Sequence, residues 1–323
     1  MRARIAGLSA AVLGGLALVL AVLLASGSPV PEAGLPLGES YETVAEGADV
    51  TFLDPVTLEQ RTGEDVQVQV EVSGDPGSVD ADEGTAVRIA ETTTTAADGT
   101  LIATTSSTTA CLDRRTAEAV DCATEAVDGR QTDVRGLVLG FPPGTRAQDR
   151  MMWDGTVQAS FPVRYLGTER FRGLEVQRYE QVVPEQVVRP VTVPGALLGS
   201  AGGPASGDLV HGATRTLLVE PVSGVVVSAE EQVLTRLRAT DGTPGAVLLG
   251  GELGTSEESV TDAIARAREA SDRQDPPGAV APWVLGGAGL VLLGTGGLLV
   301  ARGRQRPARP AEDEADRPLV PAS

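Results

Sequence analysis

The chain has no lysine, one histidine (His211), two cysteines and only 3% aromatic residues, and each shortage removes a class of function. Acyl or phosphoryl transfer at neutral pH calls for an activated nucleophile beside a His or Lys base, or for a held metal, and His211 alone is thin provision. Cys111 and Cys122 have no second Cys or His pair near them, so no zinc-type site and no cofactor is expected. A lipid-embedded β-barrel wants aromatic girdles on many strands, which so few aromatics cannot supply. All 26 basic residues are Arg, as expected where a GC-rich genome replaces Lys.

What is present begins with two apolar runs. Val280–Ala301 carries no charge and is followed by Arg302, Arg304, Arg306 and Arg309, with Trp283 placed for an interface. A helix of that length covers the roughly 30 Å hydrocarbon core, and the positive-inside rule puts the tail in the cytoplasm. At the other end Arg2 and Arg4 precede an apolar run from Ile5 to Ala25, the pattern of an export signal. Ala25-Ser26-Gly27 suits a signal peptidase, while the run is nearer to spanning length, so an uncleaved anchor is favoured with a cleaved signal as the second reading. No Cys follows the run, which excludes a lipoprotein anchor.

The expected organisation is therefore a signal or anchor helix (1–27), a Pro/Gly-rich spacer (28–40), a β-rich extracytoplasmic domain (41–254), a membrane-proximal helix (255–275), a transmembrane helix (280–301) and a disordered cytoplasmic tail (302–323). Of 26 Arg and 44 acids, seven Arg and four acids lie outside residues 28–301, leaving 40 acids against 19 Arg in the exported part. Such a surface repels nucleic acid and anionic head groups.

Within that part Val66, Val68, Val70 and Val72 alternate with polar residues, the mark of a half-buried strand. The Thr-rich runs 86–95 and 100–109, joined by Ala96-Ala97-Asp98-Gly99, read as a hairpin, as does 163–183 with Arg172-Gly173 at its turn. O-glycosylated threonines are the alternative for the first. An aliphatic–acid–x–x–Thr/Ser pattern at Asp54, Asp113 and Glu220 reads as a type I turn capped by its own acid, or less simply as an acid–hydroxyl catalytic pair. Cys111 and Cys122 flank the second copy and are expected to be bonded. The segment 190–208, rich in Gly, Pro and Ala, reads as a mobile loop. Thr255-Ser256-Glu257-Glu258 is a capping box opening a helix with Val260, Ala263, Ile264 and Ala267 on one face. Met152, Trp153, Tyr165 and Tyr179 are candidates for an apolar ligand groove, with core packing as the plainer reading. Gly286, Gly289, Gly296 and Gly297 share one side of the last helix and are candidates for helix packing, and so for oligomerisation.

The ordered motifs LDRRTAEAVDC (112–122), FPPGT (141–145), WDGT (153–156), the hairpin VRYLGTERFRGLEVQRYEQ and TRTLLVEPVSGVVV (214–227) resemble the actinobacterial porin PorA family. That pattern often has Gly where Ala117 stands and an aromatic where Pro143 stands. The resemblance implies an envelope protein of high-GC Gram-positive bacteria with no catalytic residues to carry over.

The fold expected is a mainly β domain of antiparallel hairpins, sandwich or half-barrel-like, with one amphipathic helix and flanking transmembrane helices. The expected role is a non-catalytic, plasma-membrane-anchored module that binds a lipid, a glycan or another envelope protein. A pore or export subunit is the alternative. A carboxylate-dependent hydrolase built on acids such as Asp80, Asp82 and Glu83 is the third reading, and those acids serve equally as solvated loop residues or weak calcium ligands.

Overall fold

The computed structural model describes residues 13, 15–18, 34–274 and 281–304. It divides into two units, the β domain over Pro31–Gln274 and the terminal segments. The β domain is one antiparallel sheet in which the strands β1 (Ser40–Leu53), β2 (Gln60–Gly74), β3 (Thr85–Ala96), β4 (Leu101–Asp113), β5 (Ala119–Val120), β6 (Ala126–Val127), β7 (Arg150–Asp154), β8 (Ala159–Phe171), β9 (Leu174–Pro194), β10 (Pro204–Val219), β11 (Val226–Ala239) and β12 (Pro244–Thr255) follow in chain order. The spatial order is β5-β4-β3-β2-β1-β12-β11-β10-β9-β8-β7, with β6 beside β4. The fold is thus a half-barrel, which settles the choice against a sandwich.

The two edges of this curled sheet meet on one short segment. Ala119 N–H, at the β5 edge, donates to Gly136 O (2.8 Å), Leu137 N–H donates to Met151 O (2.9 Å), and Trp153 N–H donates to Leu137 O (2.7 Å). Gly136 has φ +74°, and a Cβ there would stand 2.6 Å from Met151 O, so only glycine lets the segment close against β7. The last residues of the Pro/Gly-rich linker are docked rather than free: Arg114 Nε donates to Leu35 O (2.7 Å) and the buried Arg88 donates to the carbonyls of Pro36 and Leu37.

The hairpins read from the Thr-rich runs and from 163–183 are β3–β4 and β8–β9. The segment 190–208 differs from its reading as a mobile loop. Val191 and Val193 extend β9, Ala205 and Leu209 open β10, and the two strands pair from Pro204↔Pro194 to Leu209↔Arg189. A 3-10 turn, Gly195–Leu198, joins them. The alternating valines were hidden among Pro and Gly, and Pro184, Pro190 and Pro194 each remove an amide from β9 where it outruns β8, which blunts an exposed edge.

Each acid of the repeated turn caps its own loop. Asp54 Oδ1 accepts the amides of Val56 (2.9 Å) and Thr57 (3.0 Å), Asp113 Oδ1 those of Arg115 (2.9 Å) and Thr116 (2.8 Å), and Glu220 those of Val222 (3.0 Å) and Ser223 (2.7 Å). The turn is one residue longer than a type I turn, because the fifth residue closes it at positive φ: Leu58 (56°), Ala117 (56°) and Gly224 (78°). The chain contains no asparagine, the other residue suited to that conformation, so ordinary side chains occupy it.

Helix α1 (Glu257–Gln274) starts after Ser256, whose Oγ accepts the Ser259 amide (3.2 Å), and buries Val260, Ala263, Ile264 and Ala267 against Val176, Leu218 and Val227. It also holds the start of β1. Val44 N–H donates to Ser259 Oγ (2.9 Å), Ser256 N–H donates to Val44 O (2.8 Å), and the Arg266 guanidinium lies 4.6 Å over the Tyr41 ring. Burial pushes the Tyr41 hydroxyl up to about 12.

In the terminal unit helix α2 spans Ala281–Arg304. Among the described residues no helix is long and apolar enough to cross a membrane, which says nothing of crossing by strands. Most of the segment expected to be a cytoplasmic tail, and most of the segment expected to be an N-terminal anchor, lie outside the described residues.

Candidate functional site

The inner face of the sheet holds a polar layer between two apolar ones. Along β10, alternate residues Leu209, His211, Ala213, Arg215, Leu217 and Val219 share a face, and on β11 Thr235 stands opposite His211 and Glu231 opposite Arg215. Leu209 belongs to an apolar cluster with Leu198 and Leu237, and Leu217 and Val219 to one around Phe141 and Tyr179. Between them, β9 contributes Gln181 (0% exposed) and the end of β7 contributes Asp154 (1%).

Arg215 is the hub. Its Nη2 lies 2.7 Å from Asp154 Oδ2, its Nε donates to Glu231 Oε1 (2.9 Å) and its Nη1 donates to Gln181 Oε1 (3.0 Å). Gln181 Nε2 passes the network on to Met152 O (2.7 Å). Burial opposes the charge of Asp154, but His211, Arg215 and the Val157 amide outweigh it and hold the carboxyl well below the usual range. Burial likewise opposes the Arg215 charge and is outweighed by Glu231 and Asp154, which raise its pKa.

His211 Nδ1 is 2.7 Å from Thr235 Oγ1, and its Nε2 faces Asp154 Oδ2 at 3.8 Å, too far for a hydrogen bond. Hydroxyl, imidazole and carboxylate thus stand in the order of a nucleophilic triad. The chemistry does not follow from the order: His211 is 2% exposed, and the carboxylate that would steady it is committed to Arg215. Arg215 also occupies both acids of this layer, Asp154 and Glu231. The layer is an internally paired ion cluster.

A model of the family described as Porin PorA matches residues 6–298. The chain belongs to the Porin PorA family. No curated protein matches it. In this Porin PorA chain Ala117 holds φ 56° in the capped turn, a conformation that glycine adopts more readily.

The four groove candidates fall on two sides of β7. Met152, Tyr179 and the half-buried Tyr165 meet around Phe141, with ring centroids 4.6 Å apart for Phe141–Tyr179 and 5.7 Å for Tyr165–Tyr179. Trp153, the next residue along the strand, points the other way into Ala110, Leu112, Val127 and Val134. Cys111 and Cys122 are bonded, with Cα atoms 6.2 Å apart. Asp80 and those two sulfurs are the group with metal-ligand proximity among the described residues, and the sulfurs are spent on each other. Asp80 Oδ2 accepts the Thr124 amide (2.9 Å) and Asp82 Oδ1 accepts those of Gly84 (2.8 Å) and Thr85 (2.7 Å), so these acids hold loops. Gly286 and Gly289 lie in α2, while the surroundings of Gly296 and Gly297 lie outside the described residues.

Asp154, Gln181, Arg215 and Glu231 escaped the sequence reading. A signal existed, because Arg215 sits at the spacing of Ala213 and Leu217, an apolar parity where a charge needs a partner.

Proposed function

We propose that the chain is a membrane-anchored, non-catalytic envelope protein whose β domain stands in water as a binding module for a lipid, glycan or protein. The observation that carries this reading is on the outer face. Glu42, Glu71 and Glu91 are exposed and stand directly opposite one another across β1, β2 and β3. The wall of a lipid-embedded barrel carries an apolar band there, and three carboxylates in one row belong to water. The inner face is filled in turn: Phe141, Leu137, Val163 and Tyr179 are at most 2% exposed, where a conducting lumen would be wet and polar.

Anchoring rests on the terminal apolar runs. Within the β domain the start of β1 and the start of helix α1 lie side by side. In this reading Val280–Ala301 crosses the plasma membrane, the tail is cytoplasmic and the β domain is outside. Family membership favours the second reading, a subunit of a pore assembly joined through α2. Single-channel recording of the full-length chain in planar bilayers separates the two. No unitary conductance is expected, and reproducible steps would transfer the chain to the pore reading. Protease added to intact cells is expected to digest the β domain and spare a C-terminal epitope.

A further inference from the structure

We infer that the end of the sheet opposite the β1–α1 pair is a docking tip for the alkyl chains of a neutral lipid layer. The inference rests on the anchored reading above. β9, β10, β11 and β12 outrun the rest of the sheet, and β10, at 16 residues, reaches about 50 Å. On the inner face of this extension Leu198, Leu209 and Leu237 are buried, and around them Val191, Val193, Leu197 and Leu248 are only half covered. The turn Gly195–Leu198 is pressed onto the sheet: a Cβ at Gly207 would stand 3.0 Å from Leu198 Cδ2, and one at Gly245 2.6 Å from Leu197 O.

Composition names the occupant. Residues 187–209 and 237–251 contain Arg189, Asp208, Arg238 and Asp241 as their only charged residues, two of each sign with Asp208 and Arg238 paired at 3.3 Å, in a domain with 40 acids against 19 Arg over 28–301. The tip therefore escapes the negative field that keeps the rest of the surface from lipid. Its cluster is wholly aliphatic. It has no aromatic ring to stack a sugar, and the β9 edge beside it is blunted by proline against an added peptide strand. Methylene chains ask for neither. Along β12 the tip lies at the opposite end from the β1–α1 pair.

The test uses the full-length chain in phosphatidylcholine nanodiscs, mixed with phosphatidylcholine vesicles and floated on a density gradient. Wild-type discs are expected to float with the vesicles, and Leu197→Asp or Leu248→Asp to cut the floated fraction about tenfold, as the loss of one buried aliphatic contact implies. Far-UV circular dichroism melts verify that each variant is folded. Should either fail, Val193→Thr, similar in shape and suited to a strand, takes its place with the same direction expected. Wild-type discs that stay at the bottom, flotation equal in the variants, or flotation on phosphatidylglycerol vesicles alone would each overturn the assignment. Disc-to-disc association without vesicles would make the occupant a second copy and overturn it too. A chain that enters no disc fails at the anchoring step, which sinks the anchored reading separately from the tip.

Discussion

The turn at Asp154 and the turns at Asp54, Asp113 and Glu220 share a backbone and differ in what their acids reach. In all four the acid caps amides of its own loop, Asp154 through Oδ1 to the Val157 N–H (2.7 Å), and in all four the fifth residue has positive φ, Gln158 with 56°. Three of the acids serve the turn, with Asp54 Oδ2 also 4.0 Å from the Arg61 guanidinium and Glu220 also in contact with Ser271 on α1 (3.3 Å). Asp154 alone turns its second oxygen inward onto Arg215. A local motif thus sets the loop, and the position of the loop on the sheet decides whether the acid is also structural glue. The acid of a turn at the end of a short strand, β7, reaches the interior because β9, β10 and β11 continue past it.

The sharpest way to break the comparison keeps the cap and removes the charge. Asp154→Asn leaves an oxygen for the Val157 amide but strands Arg215 beside one acid in a buried layer, and a loss of about 3–5 kcal/mol is expected in denaturant melts. Asp113→Asn, which also keeps its cap, is expected to stay within about 0.5 kcal/mol. Equal losses at the two sites would mean that the ion cluster contributes little.

The same carboxyl predicts an acid limb. A native pKa held below the unfolded value stabilises the fold fully above that value, near 3.9, and the contribution is lost as pH falls toward the native pKa. Melting temperature should therefore fall below about pH 4, and Asp154→Asn should flatten that limb. An identical slope in the variant would place the acid sensitivity elsewhere.

The disulfide sharpens the contrast between the two edges of the sheet. It bridges residues 11 apart, tying the β5 edge down covalently while β7 relies on Leu137 and Asp154. Replacing both cysteines with serine is expected to cost about 2–3 kcal/mol on the chain-entropy model. Peptide mapping without reductant should find neither thiol alkylatable.

How much was legible follows from the range of each signal. The valine alternation of β2, the Thr-rich hairpin and the three acid turns are local in sequence, and each stands where the residues put it; the helix start stands too, but with Ser256 as its cap and Ser259, in place of Glu258, bonded to it. The ion cluster was not legible, because Asp154, Gln181, Arg215 and Glu231 come from four strands and only the register brings them together. Trp153 and Met152 illustrate the same limit: adjacency suggested one groove, and strand alternation sent them to opposite sides. The β9–β10 turn reads as a loop in the sequence because its glycines and prolines, which blunt an edge and admit Leu198, are also what a loop is made of.

The smallest expected effect tests the backbone half of the comparison. Leu58 occupies the left-handed region while 43% exposed, so its side chain buries little in exchange for the strain. Glycine removes the clash between Cβ and carbonyl, worth roughly 1–2 kcal/mol for an L-residue, and gives back roughly 0.4–1 kcal/mol by loosening the unfolded chain. Leu58→Gly should then stabilise by about 0.5–1 kcal/mol. Ala117→Gly has the same backbone and a different setting, because Ala117 is buried with Leu137 and Phe141 and glycine forfeits those contacts. Its gain should be smaller than that of Leu58→Gly. Gly224→Ala runs the comparison backwards: φ is 78°, and a Cβ would press on the carbonyls of Phe141 and Pro142, so strain and clash add and the turn should be destabilised. If denaturant melts showed Leu58→Gly losing stability, the fifth position would be held by side-chain contacts, and positive φ would not be the shared constraint of these turns.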